Sequence, residues 1–239
     1  MRNVGQVATY PARIGYLPVM LESVAPQLDE IHVVLNQYTK RQQRALPKLA
    51  NVNYVIPSED LKDTGKFARV AASDEHIFLM DDDLIFPSNY VAMLVKWLDS
   101  APSRRIAVGL HGVVYSDLFE GAAQSRFVVK FDKAFDRPLL VNQLGTGCLM
   151  IRGEFMPDFE VMKSAQRFVD VRFARYCHQN HIGMLCVPRQ AAWVADQEPE
   201  ESIFNSYTRE HQTEQLQEIL TFAGFGRLDP KLARAVERI

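Results

Sequence analysis

A short apolar run that ends in three consecutive acidic residues is the feature that most constrains this sequence. Residues 77–80 (Ile-Phe-Leu-Met) are followed at once by Asp81, Asp82 and Asp83. An uninterrupted apolar run of this length is typical of a strand buried on both faces of a parallel sheet. Open α/β sheets bind ligands beyond the carboxyl ends of their strands, so we expect the acidic run to lie at a binding crevice.

The spacing of these carboxylates indicates a metal site. Alternation along a strand places Asp81 and Asp83 on one side and Asp82 on the other. Two carboxylates two residues apart offer hard oxygen ligands to Mn²⁺ or Mg²⁺, and such a cation commonly bridges carboxylates and substrate phosphates. The alternative is a solvated acidic turn before Pro87. Three adjacent carboxylates repel one another, which favours the metal–phosphate interpretation.

Composition narrows the class of protein. The 239 residues fit one large α/β domain, and a formal net charge of -2 provides no basic field that would attract nucleic acid. The three cysteines are widely spaced without a CxxC pair, which argues against a disulfide framework or a zinc knuckle and suits a reducing compartment. No apolar run approaches the roughly 20 residues of a membrane helix, and the N-terminus lacks the apolar segment of a signal peptide. We therefore expect a soluble, cytoplasmic chain without a transmembrane segment.

The first half of the chain alternates between strand and helix patterns. Strands are predicted over residues 4–9, 31–35, 53–56 and 77–80, and helices over residues 16–24, 40–49, 66–72 and from Ser88 or Asn89 onward. Strands that alternate with helices predict a parallel sheet built from right-handed βαβ units.

The second half has a different pattern, with strands separated mainly by loops. Strands are predicted over residues 106–111, 127–131, 139–141, 148–151 and 184–187, and helices over residues 169–180 and 210–222. We therefore predict an α/β fold with a mostly parallel central sheet flanked by helices and a mixed second half. Residues 224–239 form a mildly basic tail, which favours a solvated terminal helix over one that docks to a partner, a domain or a membrane surface.

Three motifs follow one another in a recognisable order. Residues 8–13 (Ala-Thr-Tyr-Pro-Ala-Arg) end the first strand, the acidic run ends the fourth, and Asp170 stands at the head of a helix. This order resembles glycosyltransferases of the GT-A fold, especially the inverting, family-2-like enzymes that build bacterial surface polysaccharides such as O-antigen or capsule. The resemblance spans roughly residues 4–195. It implies a Rossmann-like single domain, with a nucleotide-sugar-binding half (1–105), an acceptor-binding half (106–223) and a tail (224–239).

The resemblance also implies roles for individual residues. Thr9, Tyr10 and Arg13 would receive the nucleotide base and diphosphate, and Asp81 and Asp82 would contact the donor. The metal would be held by Asp83 and Asp81, with a late histidine, His211, as a further ligand. Asp170 would be the catalytic base that deprotonates the acceptor hydroxyl.

This sequence departs from the family pattern in two places. Asn36 follows the second strand where many relatives carry acidic residues that help to hold the base, so Asn36 is only a candidate for that role. Val169 stands where the family has an acid before the catalytic aspartate. If Asp170 were instead a helix cap, the base would have to be sought elsewhere, at Asp158 or Glu160.

Several side chains have both a functional and a structural interpretation. Tyr10 could stack on the nucleobase and Arg13 could bind phosphate, or the two could be a turn aromatic and a surface arginine. Lys66 could neutralise the diphosphate at a helix N-terminus, or be a surface lysine in an ordinary turn.

On the acceptor side, His111 ends a strand that faces the crevice. Thr146 lies in a Gly-Thr-Gly turn that is either an acceptor-shaping loop or a plain hairpin turn. Trp193 could stack on a sugar, although core packing is the commoner fate of tryptophan.

Together these features predict a metal-dependent hexosyltransferase that works at the inner face of a bacterial membrane, without nucleic acid. Its donor would be a nucleotide-diphosphate sugar and its acceptor a glycan or lipid-linked glycan. Two other functions stay open: a sugar-phosphate nucleotidyltransferase, and a catalytically dead carbohydrate-binding domain of a larger synthase. The sequence also leaves open whether the chain is a whole protein or a module of a larger enzyme.

Overall fold

The computed structural model describes residues 1–121, 125–197 and 212–238. Its strands are β1 (Arg2–Thr9), β2 (Glu30–Leu35), β3 (Val52–Val55), β4 (Glu75–Met80), β5 (Leu84–Ile85), β6 (Ile106–Gly109), β7 (Gly112–Tyr115), β8 (Arg126–Val129), β9 (Leu139–Leu140), β10 (Gln143–Leu144), β11 (Cys148–Arg152), β12 (Gly183–Cys186) and β13 (Ala195–Asp196). Its α-helices are α1 (Leu17–Val24), α2 (Lys40–Ala45), α3 (Tyr90–Ser100), α4 (Phe159–Met162), α5 (Val169–Gln179), α6 (Gln212–Leu220) and α7 (Pro230–Val236).

Eight strands form the central sheet in the order β3-β2-β1-β4-β11-β6-β12-β9. The first four are parallel to one another, β11 runs antiparallel between β4 and β6, and β12 is parallel to β6. Beside this sheet lie an antiparallel sheet in the order β10-β7-β8 and a short pair of β13 with β5. The predicted α/β fold with a mostly parallel sheet and a mixed second half is confirmed.

Strand β4 is buried on both faces, as its apolar run predicts. Phe78 and Met80 pack into a core cluster with side chains of α1 and α3, whereas Ile77 and Leu79 pack into a second cluster with side chains of α5. All four side chains are fully buried. Full burial of one such side chain contributes about 1.5–3 kcal/mol, so this strand anchors the sheet from both sides.

The reversed direction of β11 brings the second half of the chain to the carboxyl end of β4. Cys148 at the start of β11 pairs with Met80 at the end of β4. The loop that precedes Cys148, residues 145–147, therefore lies beside Asp81. This pairing fixes which residues of the second half of the chain can approach the acidic run.

The predicted helix over residues 66–72 is wrong. In its place a 3-10 helix spans Lys62–Phe67, and the chain continues without helix to β4. The helix predicted over residues 40–49 ends at Ala45, shortly before Pro47. Strand β7, between two predicted strands, was not predicted. Within the described ranges, no helix has the length and apolar character needed to cross a membrane.

Candidate functional site

The three aspartates lie just beyond β4, at the start of the turn that follows the strand. Asp82 is buried, whereas Asp81 and Asp83 are partly exposed at the sheet edge. Burial raises the pKa of Asp82 to about 7, although a hydrogen bond with the Thr9 side chain opposes the shift. Thr9 is itself buried at the end of β1. Thr9 and Asp82 thus form the buried floor of the site.

Arg13 is bound to the acidic run. Its Nη1 lies 2.6 Å from Oδ2 of Asp83 and 4.0 Å from Oδ1 of Asp82. The guanidinium carbon also lies 5.8 Å from the ring centroids of both Tyr10 and Tyr16. The predicted phosphate ligand is therefore buried and paired with a carboxylate, rather than free at the surface.

Lys66 is a buried cation of this site and not a surface lysine. Its Nζ forms an ion pair with Oδ1 of Asp81 and donates to the carbonyl oxygen of Thr146 over 3.3 Å. Burial alone would lower the pKa of Lys66, but the Asp81 carboxylate outweighs burial and the pKa is raised. Since Lys66 lies at the end of a 3-10 helix, its position does not depend on the helix N-terminus that we expected.

The 145–147 loop connects these groups to other residues in the second half of the chain. The Gly145 amide donates to the His111 carbonyl over 2.9 Å, and the Asp81 amide donates to the Gly147 carbonyl over 3.0 Å. A Cβ on Gly147 would lie less than 3.0 Å from the Asp81 carboxylate. Only glycine therefore fits at position 147 while Asp81 keeps its place.

Asp170 lies in the first turn of α5 and contacts this loop. Its Oδ1 accepts hydrogen bonds from the Thr146 amide over 2.8 Å and from Thr146 Oγ1 over 2.6 Å. The N-cap position of α5 belongs to Phe168, which makes no side-chain capping bond. The Asp170 carboxylate thus points across to the loop and does not cap its own helix.

His111 faces the same space from the end of β6. Burial lowers the pKa of its imidazole, while the nearby Asp170 carboxylate partly opposes this shift. The buried guanidinium of Arg189 acts in the same direction as burial. Arg189 donates to backbone carbonyls of the loop that contains Phe131, whose ring centroid lies 6.2 Å from that of His111. The structure therefore places His111 near Asp170 and Gly145, and its contact with an acceptor stays a prediction.

Two predicted site residues have other contacts. The Asn36 side chain donates through Nδ2 to the Lys62 carbonyl oxygen and accepts through Oδ1 from the Leu61 backbone amide, both over 2.9 Å. These bonds hold the loop before Lys66 and engage both ends of the Asn36 side chain. Trp193 packs on Tyr90 at a centroid distance of 5.9 Å and borders the core. The remaining metal candidate, His211, lies outside the described residues.

The acidic run is suited to a divalent cation that also binds a phosphate group. In the part of the chain that the structure describes, no three His, Cys, Asp or Glu side chains gather as a complete metal cage. Mg²⁺-type sites use one or two carboxylates together with substrate phosphates, and Asp81 and Asp83 meet that need. Burial raises the pKa of Asp83 and the Asp81 charge adds to the effect, so a cation between them would relieve a repulsion that the structure contains.

Sequence reasoning missed Gly147 and Asp63. Asp63 accepts a hydrogen bond from the Arg167 amide over 2.7 Å, which links the loop before Lys66 to the turn before α5. Burial raises the pKa of Asp63 to about 6. Lys66 and the Gly-Thr-Gly turn stood out in the sequence, but neither pattern identifies the residues that Asp63 and Gly147 would contact.

Comparison with known proteins finds the same fold in a solved structure. No protein-family model matches the sequence, and no curated protein matches it. Among solved structures, S. aureus TarS 1-349 in complex with UDP-GlcNAc superposes with a TM-score of 0.58 at 14% sequence identity, covering 93% of this chain and 67% of that one. This chain shares its fold with TarS. A second structure of TarS 1-349 gives a TM-score of 0.53 at 16% identity, covering 92% of this chain and 71% of that one.

Proposed function

We propose that this protein is a glycosyltransferase. It would move a hexosyl unit from a nucleotide-diphosphate sugar to a hydroxyl group of a bacterial polysaccharide or glycolipid, with inversion. The observation that carries the proposal is the meeting of Asp81, Lys66, Thr146 and Asp170 at the carboxyl end of β4. This is the edge at which open α/β sheets bind ligands. The TarS structure of the same fold, in complex with UDP-GlcNAc, supports a nucleotide-sugar donor.

The charges at this edge suit a diphosphate leaving group. Asp83 and Asp81 would hold Mn²⁺ or Mg²⁺, and the bound ion would stabilise the negative charge of the departing nucleotide diphosphate. Lys66 is a fixed cation below Asp81. Arg13 restrains Asp83 through their ion pair, so the carboxylate is oriented before a ligand arrives.

Asp170 supplies the base. Its Oδ1 is engaged by Thr146, and the residue is partly exposed. An acceptor hydroxyl held there would lose its proton to Asp170 as its oxygen attacks the anomeric carbon from the face opposite the diphosphate. The new bond forms from the acceptor oxygen as the bond to the diphosphate breaks, which inverts the configuration. His111 borders the same space and would contact the acceptor.

The deciding experiment measures donor binding. We expect UDP and UDP-GlcNAc to raise the melting temperature in the presence of Mn²⁺, with about 2.7 kcal/mol of added stability at 100 times the dissociation constant. Asp83→Asn should weaken this binding at least tenfold in calorimetry. The matched control is Asp74→Asn, an exposed aspartate just before the opposite end of β4, which should bind as the parent does.

Three outcomes would count against the proposal. Equal affinity of Asp83→Asn and the parent with Mn²⁺ would remove the metal assignment. Release of pyrophosphate from a nucleoside triphosphate and a sugar 1-phosphate would identify a nucleotidyltransferase. Donor binding without any release of UDP, with or without glycan acceptors, would indicate a binding domain.

A further inference from the structure

The Thr146 side chain is bound to the catalytic centre and is not open to an acceptor. Thr146 is buried, and both of its hydrogen-bond donors, the amide and the hydroxyl, are directed at a single oxygen, Oδ1 of Asp170. An isolated carboxylate on the first turn of a helix can rotate freely. Two donors on one oxygen fix the rotation of its plane as well as its position.

This arrangement leaves the second carboxylate oxygen available. Within the described ranges, the structure shows Asp170 bonded only through Oδ1. Asp170 is partly exposed, so Oδ2 can meet a hydroxyl that enters the crevice. A general base must face the hydroxyl from which it takes a proton. Hydrogen bonds to Oδ1 fix the orientation of the carboxylate, and Oδ2 remains able to accept the proton.

The same threonine is also connected to the donor side. Its carbonyl oxygen accepts a hydrogen bond from Nζ of Lys66, which is paired with Asp81. The neighbouring Gly147 carbonyl accepts the Asp81 amide. One short loop therefore contacts both the carboxylate expected at the diphosphate and the carboxylate expected at the acceptor.

We propose that Thr146 is the positioning residue of Asp170: it holds Oδ1, directs Oδ2 at the acceptor hydroxyl, and links the base to the Lys66–Asp81 pair. This inference rests on the proposed function. It assigns Thr146 to the base and not to the acceptor pocket. The hydroxyl is the part of the side chain that matters, because valine would fill the same volume without it.

The test compares Thr146→Val and Thr146→Ser by the rate of UDP release from UDP-GlcNAc with Mn²⁺, water serving as the acceptor. We expect Thr146→Val to lower kcat about ten- to a hundredfold while KM for UDP-GlcNAc stays within twofold, because the base is misplaced and the donor site is intact. Thr146→Ser keeps the hydroxyl and should recover most of kcat. The control is Thr221→Val, an exposed threonine whose hydroxyl donates to the Glu218 carbonyl over 2.7 Å, and it should keep the parent kcat.

A second measurement does not depend on turnover. A double-mutant cycle of Thr146→Val with Asp170→Ala, read by urea unfolding, should show non-additive losses because the two side chains share their hydrogen bonds. If the parent is active and Thr146→Val keeps the full kcat, or if the losses in the cycle are additive, the inference about Thr146 is overturned while the proposed function stands. A parent that neither binds nor cleaves UDP-GlcNAc would reject the proposed function, and the role of Thr146 in that reaction with it.

Discussion

At the scale of single residues, Asp170 is distinguished by the direction of its side chain. An aspartate in the first turn of a helix commonly stabilises the helix end, yet this carboxylate contacts Thr146 in another element. The charge still lies at the positive end of the helix dipole, but the hydrogen bonds from Thr146 decide the direction of the side chain.

Asp170→Asn should separate these roles. Asparagine keeps an oxygen that can accept from Thr146 but cannot accept a proton, so we expect turnover to fall by about 10² to 10⁴. The melting temperature and the affinity for UDP-GlcNAc should remain close to those of the parent. Steady-state rates and thermal unfolding of the same preparations check this.

The matched control is Glu160→Gln. Glu160 is an exposed residue of α4 that pairs with Lys163, and the variant should be as active as the parent. A fully active Asp170→Asn enzyme would instead return attention to Asp158 and Glu160. Asp158 lines a separate cavity with Arg69 and Gly153, and Glu160 is exposed at the surface.

At the scale of elements, the 145–147 loop is the part on which the others converge. Its three residues contact His111, Asp170 and Asp81 in turn, and the antiparallel course of β11 brings the loop to them. Its central threonine and its second glycine therefore serve different needs. Thr146 donates hydrogen bonds to Asp170, whereas Gly147 leaves room for the Asp81 carboxylate.

Gly147→Ala should damage the site more than the fold. The added methyl group requires Asp81 to move, and Asp81 is held by Lys66. We expect at least a tenfold loss of UDP-GlcNAc affinity with Mn²⁺, and a loss of about 1–3 kcal/mol in unfolding free energy from overpacking.

The control is Gly15→Ala, where a Cβ meets no atom within 4 Å. That change should leave binding intact and keep or slightly raise stability, because alanine restricts the unfolded chain. Calorimetry and urea unfolding of both variants check the pair. Parent-like donor affinity in Gly147→Ala would show that the contact with Asp81 is not needed.

At the scale of the whole molecule, the first and second halves of the chain are joined near the site by a partly buried acid. Asp63, in the 3-10 helix that spans Lys62–Phe67, accepts a hydrogen bond from the Arg167 amide just before α5. Arg167 has a φ of 75°, a left-handed backbone conformation that is uncommon for residues other than glycine. This hydrogen bond therefore restrains an unfavourable turn between the two halves.

The raised pKa of Asp63 makes the stability of the fold depend on pH. Its pKa is about 6 in the folded chain, against about 3.9 in an unfolded chain. Between these values the folded state binds more protons than the unfolded state, so the Asp63 contribution to stability falls as pH rises through this window. The loss is at most about 1.4 kcal/mol per pH unit.

Asp63→Asn isolates this contribution, because asparagine keeps the acceptor for Arg167 and has no charge. We expect the unfolding free energy of the variant to increase relative to that of the parent as pH rises from 4.5 to 7. Urea unfolding of both proteins across this range is the measurement. A difference that does not change with pH would show that Asp63 is charged in the folded state throughout.

Local pattern in the amino-acid sequence predicts part of this structure. The apolar run before Asp81 predicts a strand buried on both faces with its acidic end at the ligand edge, because burial and side-chain alternation are properties of neighbouring residues. The order of strands and helices likewise predicts the mostly parallel sheet. The prediction was wrong where apolar residues do not recur at a regular spacing, as in the helix expected over residues 66–72.

The partners of the site's side chains depend instead on the three-dimensional fold. Lys66 and Asp81 are 15 positions apart, Thr146 and Asp170 are 24 apart, and Arg13 and Asp83 are 70 apart. No periodicity connects such positions, since their contact depends on the strand order and on the direction in which β11 enters the sheet. The same packing decides whether a charged side chain is exposed to solvent or buried at the site. The sequence around Lys66 and Arg13 therefore allowed both a surface position and the buried position that these residues occupy.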